Sequence, residues 1–157
     1  MALNRQKVKG RRESGSFALI PHVVMESEDF RSLSGSALKV LMCLLHQYRG
    51  KNNGDLSIPY PLAKEWGVGS KTTLSKAITE LLTADLIVRT REGRFLKPGG
   101  CCALYAITWK AIDECDGKLE VAETATPPRK FTLGTTTKNP VQKVYRQGTE
   151  SVPMRSN

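Results

Sequence analysis

Four residues, Gly67-Val68-Gly69-Ser70, separate two stretches that both read as helix, and this short break constrains the fold more than any other feature. Before it, Pro61 suits the first turn of a short helix containing Leu62, Ala63 and Trp66. Gly67 ends that helix, and Val68-Gly69 makes a tight turn. After it, Ser70 offers a capping hydroxyl to a further helix from Lys71 to Thr83. There Leu74, Ala77, Ile78, Leu81 and Leu82 recur at the spacing of a buried stripe. One helix therefore feeds through a tight turn into an amphipathic helix.

The flanking sequence supplies the rest of a small fold. Phe17-Ala18-Leu19-Ile20-Pro21 reads as an extended lead-in, because a residue before proline disfavours helix. His22 to Phe30 has room for a short helical turn. Ser34 is a good N-cap and Gly50 a C-terminal stop, and between them Leu38, Leu41, Leu45 and Tyr48 recur at helical spacing, joined by Val40 and Leu44. Asn52-Asn53-Gly54 is a tight turn, and Leu56-Ser57-Ile58 fits one short strand. Leu86 to Thr90 and Ala103 to Ile107 read as strands around a loop, Arg91 to Gly100, rich in glycine, proline and basic residues. Trp109 to Cys115 closes the unit as a short turn or helix.

Composition narrows the function classes. The 157 residues fit one domain with tails. The apolar run from Val40 to Leu45 is six residues, and no run approaches the ~20 a membrane span needs. No secretory signal follows the basic N-terminal residues. Four cysteines do not suggest a disulfide scaffold, so reduced thiols and a cytoplasmic setting are expected. Lysine and arginine total 24 against 15 acids, a net +9 that points to an anionic partner, nucleic acid first. The surplus is uneven: +4 in residues 1–16, +2 in 17–115 and +3 in 116–157. The ends are also poor in apolar residues. The expected organisation is a flexible basic arm over 1–16, a folded domain over 17–115, and a flexible, disordered C-terminal tail over 116–157.

The order helix, strand, helix, turn, helix, strand, basic loop, strand resembles the winged helix-turn-helix family of DNA-binding domains. The resemblance covers roughly Ser34 to Ile107 and is most specific from Ile58 to Leu74, where Leu62-Ala63 and Gly67 end one helix before the Ser70-capped one. The run Ala77-Ile78, Leu81-Leu82, Leu86-Ile87 matches the family's usual passage into the wing, except that Asp85 stands where glycine is usual. Asp tolerates the left-handed conformation better than most residues, so the fold reading survives. A looser similarity links the chain to small helix-turn-helix proteins of bacterial mobile elements. The fold expected is α+β: a three-helix core with a small antiparallel β-hairpin wing.

The resemblance implies a regulator of transcription or a replication-associated factor of a bacterium, plasmid or phage. Its partner would be double-stranded DNA, read by the helix after the turn. The face opposite the apolar stripe centres on Thr72, Lys76, Thr79 and Thr83, flanked by Thr73 and Ser75. Short hydroxyls and a lysine suit base edges and phosphates. The helix start at Ser70 and Lys71 offers free N–H groups to a phosphate. Arg89, Arg91, Arg94 and Lys97 in the wing would neutralise phosphates, although Glu92 weakens the field. A solvated amphipathic helix and a hairpin kept soluble by charge explain the same residues without a ligand. Two other readings stay open: a protein-interaction module using the same scaffold, with a host protein as partner, and RNA binding through the tails. A homodimer is also open, and no membrane partner is expected.

Enzyme chemistry finds no foothold. There is no phosphate-binding or dinucleotide fingerprint, no nucleophile–histidine arrangement and no paired acid cluster. Cys43 reads as a core thiol, Cys101-Cys102 sit awkwardly for a shared metal, and His22 and His46 are isolated. No cofactor is expected. Aromatics make up 6% of the chain, too few for a single-strand binder built on stacking.

Overall fold

A computed structural model describes residues 15–131, so the basic arm up to residue 14 and the stretch 132–157 lie outside the described residues. The described chain is α+β, with five α-helices and a two-stranded antiparallel hairpin. The helices are α1 (His22–Met25), α2 (Glu28–Arg31), α3 (Gly35–Gln47), α4 (Tyr60–Glu65) and α5 (Lys71–Thr83); the strands are β1 (Ile87–Arg91) and β2 (Leu104–Ile107).

Where one helical turn is expected between His22 and Phe30, the chain makes two. The break falls at Ser27, whose Oγ accepts the Phe30 N–H at 3.3 Å and so caps α2. Ser34 caps α3 as expected, accepting the Ala37 N–H at 3.2 Å. This helix buries Ala37, Val40, Leu41, Cys43, Leu44 and Leu45. Leu38, expected in that stripe, is 37% exposed, because it lies roughly 110° around the helix from the centre of the buried arc. The helix also stops at Gln47, three residues short of Gly50. Asn52 is the cause: its Nδ2 donates to the Gln47 carbonyl at 2.9 Å, and its Oδ1 accepts the Arg49 N–H. The strand expected over Leu56-Ser57-Ile58 reduces to a single bridge between Leu56 and Tyr105.

Helices α4 and α5 end by the same device. At the end of α4 the Gly67 N–H bonds to Lys64 and the Val68 N–H to Ala63, with Gly67 at φ +83°. At the end of α5 the Asp85 N–H bonds to Leu82 and the Leu86 N–H to Leu81, with Asp85 at φ +53°. Both are Schellman ends, in which a left-handed residue lets two orphan carbonyls be satisfied. Each is pinned by a buried apolar residue just beyond, Val68 and Leu86. The sequence therefore stops both helices locally, and the core then fixes the exit direction. Ser70 caps α5 by accepting the Thr73 N–H at 3.0 Å.

The hairpin pairs Ile87 with Ile107, Val88 with Ala106 and Arg89 with Tyr105, then shifts register before Arg91 meets Leu104. Each strand begins one residue later than the sequence suggests. All four β2 residues are buried. Asn53 locks the far end of this strand: its Oδ1 accepts the Ile107 N–H at 2.7 Å, and its Nδ2 donates to the carbonyls of Ile107, Lys110 and Ala111.

Ordered contacts continue past residue 115, where the domain is expected to end. Beyond a left-handed turn at Cys115–Gly117, residues 118–131 run back along the domain. Glu120 N–H bonds to Thr90, Thr124 N–H to Ile112 and Arg129 N–H to Thr108. Phe131 packs edge-on against Trp109, with ring centroids 6.5 Å apart. Backbone hydrogen bonds, ion pairs from Glu120 and Arg129, and one aromatic anchor hold this segment. The described unit still carries only +2, because residues 116–131 add three basic and three acidic residues.

Candidate nucleic-acid interface

Helix α5 buries Leu74, Ala77 and Leu81 and half-buries Ile78 and Leu82, so the expected stripe faces the core. Its opposite face is exposed at Thr72, Ser75, Lys76, Thr79 and Thr83. Thr73 is half-buried, and its hydroxyl lies 2.8 Å from that of Ser70, so both serve the cap. Lys71 is exposed, with its Nζ 5.9 Å from the centroid of the Tyr60 ring. Tyr60 in turn donates its hydroxyl to the Gly69 carbonyl at 3.2 Å, tying α4 to the turn.

Ser75, Lys76, Thr79 and Thr83 form one wall of an open groove of about 540 Å³. Asp29, Ser32 and Leu33, from α2 and the residues after it, form the other wall. Both acids of the groove are held by neighbours. Glu80 accepts the backbone N–H and the hydroxyl of Ser34, the latter at 2.7 Å, and so stitches the start of α3 to α5. Asp29 pairs with Arg129, whose guanidinium also donates to the Ala84 carbonyl at the end of α5. Among the described residues Lys76 has no carboxylate partner. The groove therefore shows a cation and hydroxyls, while its acids are engaged internally.

The hairpin cations are more occupied than their number suggests. Arg89 pairs with Glu92 at 3.0 Å and sits 5.9 Å from the centroid of the Tyr105 ring. Donating to the Glu92 carboxylate holds its guanidinium charged more firmly still. Arg91 donates twice to the Cys102 carbonyl, at 3.0 and 3.3 Å. Arg94 pairs with Glu120 at 2.8 Å. Lys97 is exposed and, among the described residues, pairs with no carboxylate. No hairpin residue lines the α5 groove, so the predicted residues fall into two clusters.

Sequence reasoning missed several participants. The partners Asp29 and Arg129 lie 100 residues apart, and nothing local links them. Glu120 sits in the stretch expected to be a tail. Phe95 and Leu96 interrupt a loop of glycine, proline and basic residues, and that interruption is the sequence signal for them; they are 106% and 60% exposed.

The cysteines and histidines stay apart. Cys43 is buried, and burial pushes its thiol up, so it remains a neutral core group. His46 tilts against Trp66 at 5.6 Å. Among the described residues no three His, Cys, Asp or Glu side chains cluster closely enough to hold a metal ion, and no helix is long and apolar enough to cross a membrane. Comparison with protein-family models, with curated proteins and with solved structures found no match.

Proposed function

We propose that this chain binds double-stranded DNA as a winged-helix protein, with α5 reading the major groove and the hairpin as the wing. The order α3, Leu56 bridge, α4, α5, β1, hairpin loop, β2 supports this layout. The observation that carries the reading is the exposed face of α5, which offers hydroxyls and Lys76 while Glu80 and Asp29 are engaged elsewhere. A helix with that surface can meet base edges without bringing an unpaired acid against the phosphates. The role would be regulation of transcription or a part in replication, in a bacterium, plasmid or phage.

Duplex affinity should fall steeply as salt rises, since lysines and arginines displace counterions on binding. The double substitution Thr72→Ala with Lys76→Ala should abolish site preference in a binding selection from random duplexes, with the circular dichroism of the fold unchanged. Retention of the wild-type preferred site would remove α5 from the reading role. One observation favours a second reading, protein interaction on the same scaffold: three hairpin arginines already hold intramolecular partners. Gel shifts at two salt concentrations separate the two, because a protein-interaction module would show no salt-dependent duplex complex.

A further inference from the structure

The tip of the hairpin holds a feature that phosphate neutralisation does not use. Arg94 and Cys101 exchange a pair of backbone hydrogen bonds, each 2.9 Å, and close a tip of six residues, 95 to 100. The arms approach closely beside this pair. A Cβ on Gly93 would come within 3.1 Å of the Ala103 nitrogen, and one on Gly100 within 3.1 Å of the Arg94 carbonyl oxygen. Gly99, at φ +112°, completes the turn. The Arg94–Glu120 ion pair moors the tip to the strap. A tip so constrained carries Phe95 at 106% exposure and Leu96 at 60%. Arg94 and Lys97 flank the apolar pair in sequence.

We propose that Phe95, supported by Leu96, is a wedge that enters between two base pairs of duplex DNA from the minor groove. This rests on the DNA-binding reading above and adds a deformation of the duplex to it. The match is one of size and charge. A phenyl ring fills the apolar gap opened at a single base step, and Lys97, which pairs with no carboxylate among the described residues, would meet a phosphate bordering the step while Arg94 stays with Glu120 and holds the tip in place. The minor groove, about 6 Å wide, excludes a two-stranded ribbon but admits side chains from its tip. Apolar wedges of this kind unstack a step and kink the duplex. Two side chains offer far less area than the ~800 Å² per partner of a stable protein interface. Flexible pyrimidine–purine steps open most easily, so the wedge would add a preference at a position with no base-edge contact.

The test uses the full chain and a duplex obtained by binding selection, with 2-aminopurine placed at successive steps. Anisotropy reads binding, and 2-aminopurine fluorescence reads unstacking. The wild type should raise the fluorescence several-fold at one step. Phe95→Ala should remove that rise and weaken binding about tenfold, while Phe95→Trp should keep both. Since the Phe95 side chain lies in solvent, neither substitution removes a core contact. Binding without unstacking at any step would overturn the wedge and leave the reading by α5 standing. Equal fluorescence from the wild type and Phe95→Ala would do the same. Absence of duplex binding would overturn both. Wild-type association with anionic phosphatidylserine vesicles that Phe95→Ala abolishes, in place of unstacking, would reassign the tip to a lipid surface.

Discussion

Asp85 holds φ at +53°, where a Cβ crowds the backbone, yet it ends α5 with both Schellman hydrogen bonds formed. Gly67 performs the same task for α4 without that cost. The chain tolerates the strain because Leu86 is fully buried just beyond and Thr108 Oγ1 donates to the Asp85 carbonyl at 2.8 Å. The carboxylate itself makes no ion pair among the described residues. Asp85→Gly should therefore raise the stability by about 0.5–1 kcal/mol, read as a higher urea midpoint at unchanged slope. A lower midpoint would mean that the side chain contributes more than its backbone strain removes.

Strand β2 shows how an element acquires its properties from what covers it. Its Tyr105 pairs with Arg89 on one side and bridges to Leu56 on the other, and is 4% exposed. Burial pushes its hydroxyl above the ordinary value of 10.0, with the Arg89 charge opposing in part. Tyr48 moves the same way, through burial and then the negative charge of Asp113. Above about pH 10 the unfolded chain releases these protons while the folded chain retains them, so the unfolded state binds fewer. Their contribution is fully present below about pH 10 and is lost as pH rises through the raised folded values. Tyr105→Phe should flatten the fall in denaturation midpoint between neutral and strongly alkaline buffer. An identical fall in the variant would show that Tyr105 ionises freely in the folded state.

At the scale of the whole molecule, the strap from Lys118 to Phe131 joins four parts of the chain: the end of α5, α2, the hairpin and Trp109. Arg129 bonds to the end of α5 and to Asp29 of α2, Glu120 bonds to the hairpin, and Phe131 covers Trp109. A chain ending at residue 115 loses all of these and leaves the half-exposed Asp29 carboxylate and the carbonyls of Ala84 and Asp85, just past α5, without their charged partner. It should be less stable than a chain ending at residue 131 by about 2–4 kcal/mol, measured by denaturant unfolding. Equal stability of the two would return residues 116–131 to the status of a tail. The same strap redistributes charge, since Glu120 occupies Arg94 and Arg129 neutralises Asp29 beside the α5 groove. Trimming residues 1–14 and 132–157, which carry +7 together, should lower duplex affinity more than specificity.

Local rules made much of this chain legible. The caps Ser34 and Ser70, the Gly67 stop, the bounds of α5 and its buried stripe all depend on residues within a few positions of one another. Even the left-handed Asp85 is readable, because only a residue in that conformation closes a Schellman end. The misreadings come from two sources, tertiary packing and one local side-chain contact. Leu38 faces outward because the partners of α3 cover a different arc, and α3 ends early because Asn52 reaches back to Gln47. Leu56 forms a bridge in place of a strand because only Tyr105 is in register with it. Which charges are free is also decided by distant partners: Arg94 by Glu120, Asp29 by Arg129 and Glu80 by Ser34. The sequence by itself determined where α3 and α5 start, where α4 and α5 stop, and which face of α5 carries hydroxyls. Only the tertiary structure decided which charges that face and the hairpin present, because an ion pair depends on distance in space and not on spacing along the chain.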